Sequence, residues 1–146
     1  MTPEQIKLVQ DSFTKIAPIA DKAADLFYDR LFAIAPGVRP LFPTDLTKQK
    51  KKLMQMLVTA ISNLHEVDKI IPVVQELGRR HVGYGVTAKH YELVGEALLW
   101  TLEQALALAF TPAVKEAWTA TYLTLTKTMT NAAARVPAPL GKAAAA

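Results

Sequence analysis

Apolar residues recur every three or four positions along most of this 146-residue chain, which is the spacing of one face of an α-helix. At the start, Thr2-Pro3-Glu4-Gln5 has the order of an N-cap, a proline at the first helical position and a capping-box glutamine. The periodicity predicts further helices over about residues 21–34, 48–65 with Thr47 as N-cap, and 68–81, a short helical turn between Pro36 and Pro40, and helices beginning after Thr87 and Thr111. No stretch has a convincing strand pattern, so the sequence predicts an all-α domain of six or seven helices.

The composition excludes several kinds of chemistry. The chain contains no cysteine, which rules out disulfides, thiolate metal sites, iron–sulfur clusters and thioether-linked haem. Hydrophobic residues make up 51% of the chain, yet charged residues interrupt every apolar run before it reaches the length of a membrane span. Because the first residues are polar and show no signal-peptide pattern, we expect a cytoplasmic protein. A net charge of +4 is too small to indicate nucleic-acid binding by itself.

The composition changes at Ala134, after which alanine, proline and glycine dominate. A segment of this kind offers almost no periodic apolar face to bury. We therefore expect one domain over residues 1–133 and a disordered or frayed C-terminal tail over residues 134–146.

His81 stands at the end of a predicted helix with an apolar face. Val73, Val74 and Leu77 precede it by four to eight positions and are expected on the same side of that helix. The two glycines that follow within four positions predict that the helix stops and that the chain turns sharply. Taken alone, a histidine on an apolar helix face is more often a core residue than a metal ligand, so this pattern leaves both interpretations open.

The order of residues around His81 resembles that of the globin family over about residues 1–133. Tyr28 lies on the second predicted helix, Phe42 follows fourteen positions later beyond Pro36, and Gln49 lies on the third helix. More narrowly, Phe27-Tyr28-Asp29-Arg30-Leu31-Phe32, His90-Tyr91-Glu92-Leu93-Val94-Gly95-Glu96 and Ala117-Trp118 are similar to single-domain bacterial haemoglobins and to the globin domain of flavohaemoglobins. The resemblance implies a globin fold, with six to eight helices around a haem pocket.

The same resemblance implies a role for each matching residue. His81 corresponds to the proximal iron ligand of a haem, which in a chain without cysteine is non-covalent haem b, and the opposite haem face stays open for a gas. Tyr28 and Gln49 correspond to the distal pair, which donates a hydrogen bond to oxygen more readily than to carbon monoxide, because bound oxygen is partly negative. The implied cofactor-binding shell consists of Phe42 against the haem plane, apolar Leu53, Leu77, Val86 and Val94, and Tyr91 beside the histidine. Because Arg80 and its neighbour Arg79 adjoin His81 in the sequence, one of them, Arg80 or Arg79, is a further candidate to bind a haem propionate.

The chain departs from the flavohaemoglobin pattern at one position. In that family a tyrosine and a glutamate form hydrogen bonds near the proximal histidine and increase its electron donation to iron. Tyr91 corresponds to the tyrosine, but Ala133 stands where the glutamate would fall, and residues 117–146 contain no acidic residue. The departure argues against full flavohaemoglobin-like or peroxidase-like activity.

The sequence leaves three functions open. The first is a haem protein that reversibly binds oxygen, nitric oxide and carbon monoxide and stores, delivers or senses oxygen. The second is a nitric oxide dioxygenase that depends on a separate reductase, because the sequence has no Gly-rich phosphate loop and no strand–helix alternation for a flavin or nicotinamide module. The third is a cofactor-free basic helical module that binds nucleic acid or a protein helix. For the two haem functions we expect no nucleic-acid partner, and a monomer or a weakly associating homodimer.

Overall fold

The computed structural model describes residues 1–83 and 85–134, and all regular structure in these residues is helical. The α-helices are α1 (Pro3–Ile16), α2 (Ala20–Ile34), α3 (Thr47–Ser62), α4 (Ile71–Gly83), α5 (Ala88–Leu106) and α6 (Pro112–Ala133). Short 3-10 segments lie between them at Ala17–Ile19, Pro36–Leu41, Leu64–Lys69 and Ala107–Ala109. The prediction of an all-α domain is confirmed. Apart from Ala134, the predicted tail lies outside the described residues.

At the start of three helices, a threonine side chain accepts a hydrogen bond from a backbone amide. The Thr2 side chain accepts from the amide of Gln5 at 3.1 Å, and the Gln5 side chain accepts from the amide of Thr2 at 3.0 Å, which completes the predicted capping box. Thr87 and Thr111 likewise accept from backbone amides of α5 and α6. These bonds satisfy amide groups that the first turn of a helix otherwise leaves without partners.

The start of α3 differs from the prediction. Thr47 is the first residue of the helix, Leu46 is the N-cap, and no side-chain hydrogen bond comes from that cap. Instead, Asp45 Oδ1 accepts from the backbone amide of Thr47 at 2.9 Å and from its hydroxyl at 2.7 Å. The Thr47 hydroxyl therefore acts as a donor to a carboxylate, which is a strong acceptor, and not as the predicted acceptor for an amide of the first turn. These bonds, with the backbone bond the larger cause, hold the pKa of Asp45 below its usual value.

The connection between α3 and α4 is longer than predicted. The α3 helix ends at Ser62 rather than near residue 65, and α4 begins at Ile71 rather than at residue 68. Between them, Glu66 has non-helical backbone angles (φ −133°, ψ 54°), while Leu64 and Ile70 remain buried at either end of the 3-10 segment. The apolar spacing continues through this segment, and for that reason the periodicity alone extends both helices into it.

The helices pack mainly as the pairs α4–α6, α2–α5 and α1–α6. Trp118 Nε1 donates to Ser12 Oγ at 2.8 Å and joins α6 to α1 inside the first apolar cluster. A second cluster surrounds Leu31 on α2, and a third surrounds Val74 on α4 and Met129 on α6. Within the described residues, no helix combines the length and the apolar character that crossing a bilayer requires.

Candidate functional site

A cavity of about 210 Å³ lies between the second and third apolar clusters. The described residues that line it are Leu31, Val38, Leu41, Phe42, Gln49, Leu77, His81, Val86, His90, Tyr91, Val94, Tyr122, Thr126 and Met129. Most of these side chains are apolar, and the few polar groups come from four helices, α3, α4, α5 and α6. A mainly apolar cavity with a few convergent polar groups is the usual form of a small-molecule or cofactor site.

Most of the residues predicted for the site meet at this cavity. Phe42, Gln49, Leu77, His81, Val86, Tyr91 and Val94 all line it. Leu53 instead lines a smaller apolar cavity of about 20 Å³. The Arg80 side chain is 63% exposed, lies 3.7 Å from Glu76 Oε1 and is not among the described lining residues, while Arg79 pairs with the other Glu76 oxygen at 3.1 Å.

Several lining residues were not predicted. On α6, Tyr122, Thr126 and Met129 follow the helical period and reach the cavity together. The helical period predicts one apolar row on this helix, and Met129, which ends that row, is among the described residues that line the cavity; the row consists of Val114, Trp118, Thr121, Leu125 and Met129. Because α6 packs against α1 on one side and α4 on another, a neighbouring row with Tyr122 and Thr126 also faces the protein interior, and a single-face interpretation misses it.

The hydrogen bond of His81 defines its tautomer. Its Nδ1 lies 2.7 Å from the carbonyl oxygen of Leu77, and because a carbonyl can only accept, Nδ1 carries the hydrogen. In the neutral ring the lone pair is then on Nε2. Burial lowers the pKa of His81, and the bond to Leu77 opposes this shift only in part, so the neutral ring is favoured. The ring of Tyr91 stacks beside it, with centroids 6.2 Å apart and planes at 21°.

Backbone hydrogen bonds at the end of α4 fix the turn that follows His81. The amide of Val86 donates to the carbonyl of His81 at 3.1 Å, and the amide of Gly85 donates to the carbonyl of Val82 at 3.0 Å. With Gly85 at φ 75°, these bonds form a Schellman motif, which ends the helix as the glycines predict. The motif holds two cavity-lining residues, His81 and Val86, next to each other in space.

One neighbour on this helix was placed on the wrong face. Val73 was expected beside His81, but it is 49% exposed, whereas Val74 is 1% exposed. At about 100° per residue, Val73 lies about 80° from His81 around the helix axis and Val74 only about 20°. The buried face of α4 therefore passes through Val74 and Leu77.

Tyr28 and Gln49 form a hydrogen-bonded pair next to the cavity. Tyr28 is 3% exposed, its ring packs edge-on against Phe42 at 5.7 Å, and Gln49 Nε2 donates to its hydroxyl at 3.2 Å. Burial raises the pKa of Tyr28 to about 12, although the bond from Gln49 acts in the opposite direction. Gln49 Oε1 is buried without a hydrogen-bond partner among the described residues. A neutral phenol and an amide with unused capacity therefore lie together beside the cavity.

A second phenol supports the region around His81. The Tyr122 hydroxyl donates to the backbone carbonyl of Tyr91, and burial raises the pKa of both tyrosines. Gly95 permits this contact, since a Cβ at that position would lie 2.8 Å from the Tyr122 ring. Two uncharged phenols, Tyr91 and Tyr122, thus line the cavity together with His81.

Among the described residues, no three side chains of histidine, cysteine, aspartate or glutamate lie close enough to bind a metal ion as a group.

Comparison with known proteins gives the family. The family model described as globin matches residues 25–129. A flavohemoprotein from Bacillus subtilis is 30% identical over 122 residues, which are 80% of this chain and 30% of that protein, so the chain spans about a third of its length. Neuroglobin from Danio rerio is 25% identical over 85% of this chain and 87% of its own.

A solved structure agrees with these sequence matches. The structure of a bacterial globin from Campylobacter jejuni superposes with a TM-score of 0.77 at 26% identity, over 92% of this chain and 97% of that chain. Its agreement with the arrangement of α1–α6 confirms the predicted globin fold. On the family match, the helical arrangement and the apolar cavity, the chain belongs to the globin family, whose members bind haem and, through it, gases.

Proposed function

We propose that this chain binds oxygen reversibly at a b-type haem whose iron is held by His81 Nε2, with nitric oxide and carbon monoxide as alternative ligands. One observation carries the proposal. A single apolar cavity is lined both by a half-buried histidine whose Nδ1 donates to a carbonyl and by Gln49, the partner of the buried Tyr28.

The residues at the cavity fit a haem. The apolar side chains of Phe42, Leu77 and Val94 suit the faces of a porphyrin, and a neutral imidazole with its lone pair on Nε2 is the form that binds iron. With no cysteine in the chain, the haem would be held without covalent links. When bound, haem supplies ferrous iron that binds diatomic gases and gives oxygen a partial negative charge.

His81 would be oriented by its bond to Leu77. A hydrogen bond from the second ring nitrogen of a ligating histidine fixes the ring plane and raises the basicity of the ligating nitrogen. Here the acceptor is a peptide carbonyl on the same helix, 2.7 Å away. A carbonyl accepts less strongly than a carboxylate, so its effect on the imidazole is moderate. This favours reversible gas binding over chemistry that needs a strongly donating histidine.

Tyr28 and Gln49 would supply the hydrogen bond to the gas. With the amide as placed, Nε2 donates to the phenol, and the phenol hydrogen remains available. With the amide turned around, the phenol donates to Oε1, and an N–H of Gln49 remains available. Both amide orientations therefore leave at least one donor in the pair for a bound gas. The pair therefore favours oxygen over carbon monoxide, which is a poorer acceptor.

Replacement of His81 by glycine tests the ligand assignment. Removal of a residue that forms a hydrogen bond to a metal ligand typically weakens metal binding by about 10- to 100-fold. Removal of the ligand itself should therefore accelerate haem dissociation at least as much. Added imidazole should restore the haem and its absorption spectrum by occupying the vacated space. The matched control is His65→Gly, since His65 is exposed and lies outside the cavity lining. Acid acetone should extract all haem from the wild-type protein, and an unchanged spectrum in His81→Gly would place the ligand elsewhere.

A second candidate function is nitric oxide dioxygenase activity with a separate reductase. The similarity to a protein named flavohemoprotein favours it. The overall reaction, NO + O2 + e⁻ → NO3⁻, needs one electron per turnover, which the reductase would deliver. With NADH alone, the 146-residue chain should consume no more than about one nitric oxide per haem, and an added flavin reductase should sustain turnover. Continued turnover with NADH and no reductase would contradict the dependence on a separate partner.

A further inference from the structure

We propose that Arg39 is a positioning residue that holds the segment Phe42–Thr44 and thereby sets Phe42 and Tyr28 at the site. The inference rests on the proposed function for its consequence, although its structural basis is independent of it. Arg39 lies in the 3-10 segment Pro36–Leu41, immediately before this stretch.

The guanidinium of Arg39 donates to three consecutive carbonyls. Its Nη1 lies 3.3 Å from the carbonyl of Phe42 and 2.8 Å from that of Pro43, and its Nη2 lies 3.0 Å from that of Thr44. In return, the carbonyl of Arg39 accepts from the amide of Phe42 at 3.1 Å. The Arg39 side chain therefore fixes the backbone of residues 42–44 relative to the backbone of Arg39 itself.

Regular secondary structure does not hold the backbone of residues 42–44. This stretch lies between the end of the 3-10 segment and the start of α3 at Thr47, so no helix supplies partners for its carbonyls. Pro43 also lacks an amide hydrogen. Backbone carbonyls without a regular partner need one from a side chain or water, and the planar fork of arginine can serve several at once.

The same guanidinium covers a cluster of three aromatic rings. It lies 5.0 Å above the centre of the Phe32 ring. Phe32 and Phe42 are 5.5 Å apart, Phe42 and Tyr28 are 5.7 Å apart, and Tyr28 and Phe32 are 5.9 Å apart. Each ring thus touches the other two, and Arg39 contacts the cluster both through Phe32 and through the backbone of Phe42.

Arg39 therefore acts on the site from outside it. Phe42 lines the cavity, whereas Arg39 is not among the described lining residues. Without the three hydrogen bonds, the backbone at Phe42 would gain freedom, its ring would press less firmly on a bound haem, and Tyr28 would lose one wall. Haem retention and the hydrogen bond to the gas would both weaken, while the helices remain packed.

The test replaces Arg39 by lysine, which keeps the charge and much of the stem but loses the fork. The matched control is Arg30→Lys, because the Arg30 guanidinium also lies 5.0 Å over a ring, that of Trp100, without holding the Phe42 segment. Transfer of ferric haem to excess apomyoglobin should be about five- to tenfold faster in Arg39→Lys than in wild type, and within about twofold of wild type in the control. The C–O stretching band of the carbon monoxide complex should broaden only in Arg39→Lys, since the distal donors would then occupy several positions.

A measurement that needs no haem distinguishes the possible failures. In hydrogen exchange read by mass spectrometry, the peptide containing residues 42–46 should exchange faster in Arg39→Lys and unchanged in Arg30→Lys. Unchanged exchange of this peptide in Arg39→Lys would refute the proposal that Arg39 holds residues 42–44. Faster exchange with unchanged haem transfer would refute the role of Arg39 at the site. Wild-type protein that holds no haem would instead refute the proposed function, and the exchange result would still show whether Arg39 holds residues 42–44. If Arg39→Lys does not fold, Arg39→Met keeps the stem over Phe32 and tests the loss of the same donors.

Discussion

Burial sets the protonation state of Tyr28. The hydroxyl lies in the second apolar cluster, where its pKa rises from 10.0 to about 12. A tyrosinate there would lose its solvation and gain only the single bond from Gln49. The phenol therefore stays a donor over the whole physiological range, which is the state that the proposed contact with oxygen needs.

The raised pKa of Tyr28 predicts a loss of stability at alkaline pH. Because the folded-state pKa lies above the unfolded value of about 10, the stabilisation is present below pH 10 and is lost as pH rises towards 12. Between pH 9 and pH 11, the wild-type free energy of unfolding should fall by about 1 kcal/mol more than that of Tyr28→Phe. Urea unfolding of both proteins at the two pH values measures this difference. Equal losses would mean that Tyr28 has an ordinary pKa.

Residue positions were predictable from sequence only where a period or a resemblance constrains them. The helical period places Leu77 on the His81 face, but Val73 shows that eight positions already bring an error of about 80°. Tyr28 and Gln49 are 21 positions apart on different helices, so no local pattern predicts their hydrogen bond. Arg80 was assigned by its adjacency to His81, whereas adjacent helix residues point about 100° apart, and its side chain reaches Glu76 instead.

Close packing of α4 on α6 positions the helix that carries His81. Gly78, one turn before the histidine, faces the backbone of Met129, and a Cβ on it would lie 2.6 Å from the Met129 Cα. Backbone atoms cannot move aside as a flexible side chain can. A glycine at this position is therefore required for the distance between the two helices.

Gly78→Ala should separate α4 from α6. Alanine normally stabilises a helix by about 0.5–1 kcal/mol relative to glycine, but overpacking against a backbone costs about 1–3 kcal/mol. We expect a net loss in the free energy of unfolding and faster haem loss, because the helix of His81 moves. Gly37→Ala is the control, since no atom lies within 4 Å of a Cβ at that position. Equal stability of the two variants in urea would contradict the close approach.

Helix starts were easier to predict than the α3–α4 connection. Thr2, Thr87 and Thr111 each cap a helix through bonds within three residues, which the local sequence encodes. The 3-10 segment Leu64–Lys69 depends on the burial of Leu64 and Ile70 against other helices. Contacts of that kind are set by the tertiary fold, and the apolar spacing does not distinguish a 3-10 turn from an α-helix.

At the scale of the whole molecule, the cavity separates two apolar clusters that belong to different helix pairs. The α2–α5 pair carries the cluster around Leu31, and the α4–α6 pair carries the cluster around Val74 and Met129. Tyr28 and Phe42 belong to the cluster around Leu31, whereas Leu77 and Tyr91 belong to the cluster around Val74 and Met129. The arrangement brings His81 and Gln49, which is hydrogen-bonded to Tyr28, to one cavity. The resemblance singled out these three residues, whereas composition and periodicity could not, because they lie on three different helices.

The rates of oxygen and carbon monoxide release test the proposed role of this arrangement most directly. They are compared in wild type, Tyr28→Phe, Gln49→Leu and the double variant by stopped flow. A hydrogen bond to a partly charged acceptor is worth about 1.5–3 kcal/mol, so Tyr28→Phe should speed oxygen release by about ten- to a hundredfold and change carbon monoxide release much less. Gln49→Leu should act in the same direction but less, and the two effects should not add, because both donors serve one acceptor. Oxygen release within about twofold of wild type in Tyr28→Phe, or equal acceleration of both gases, would contradict the account.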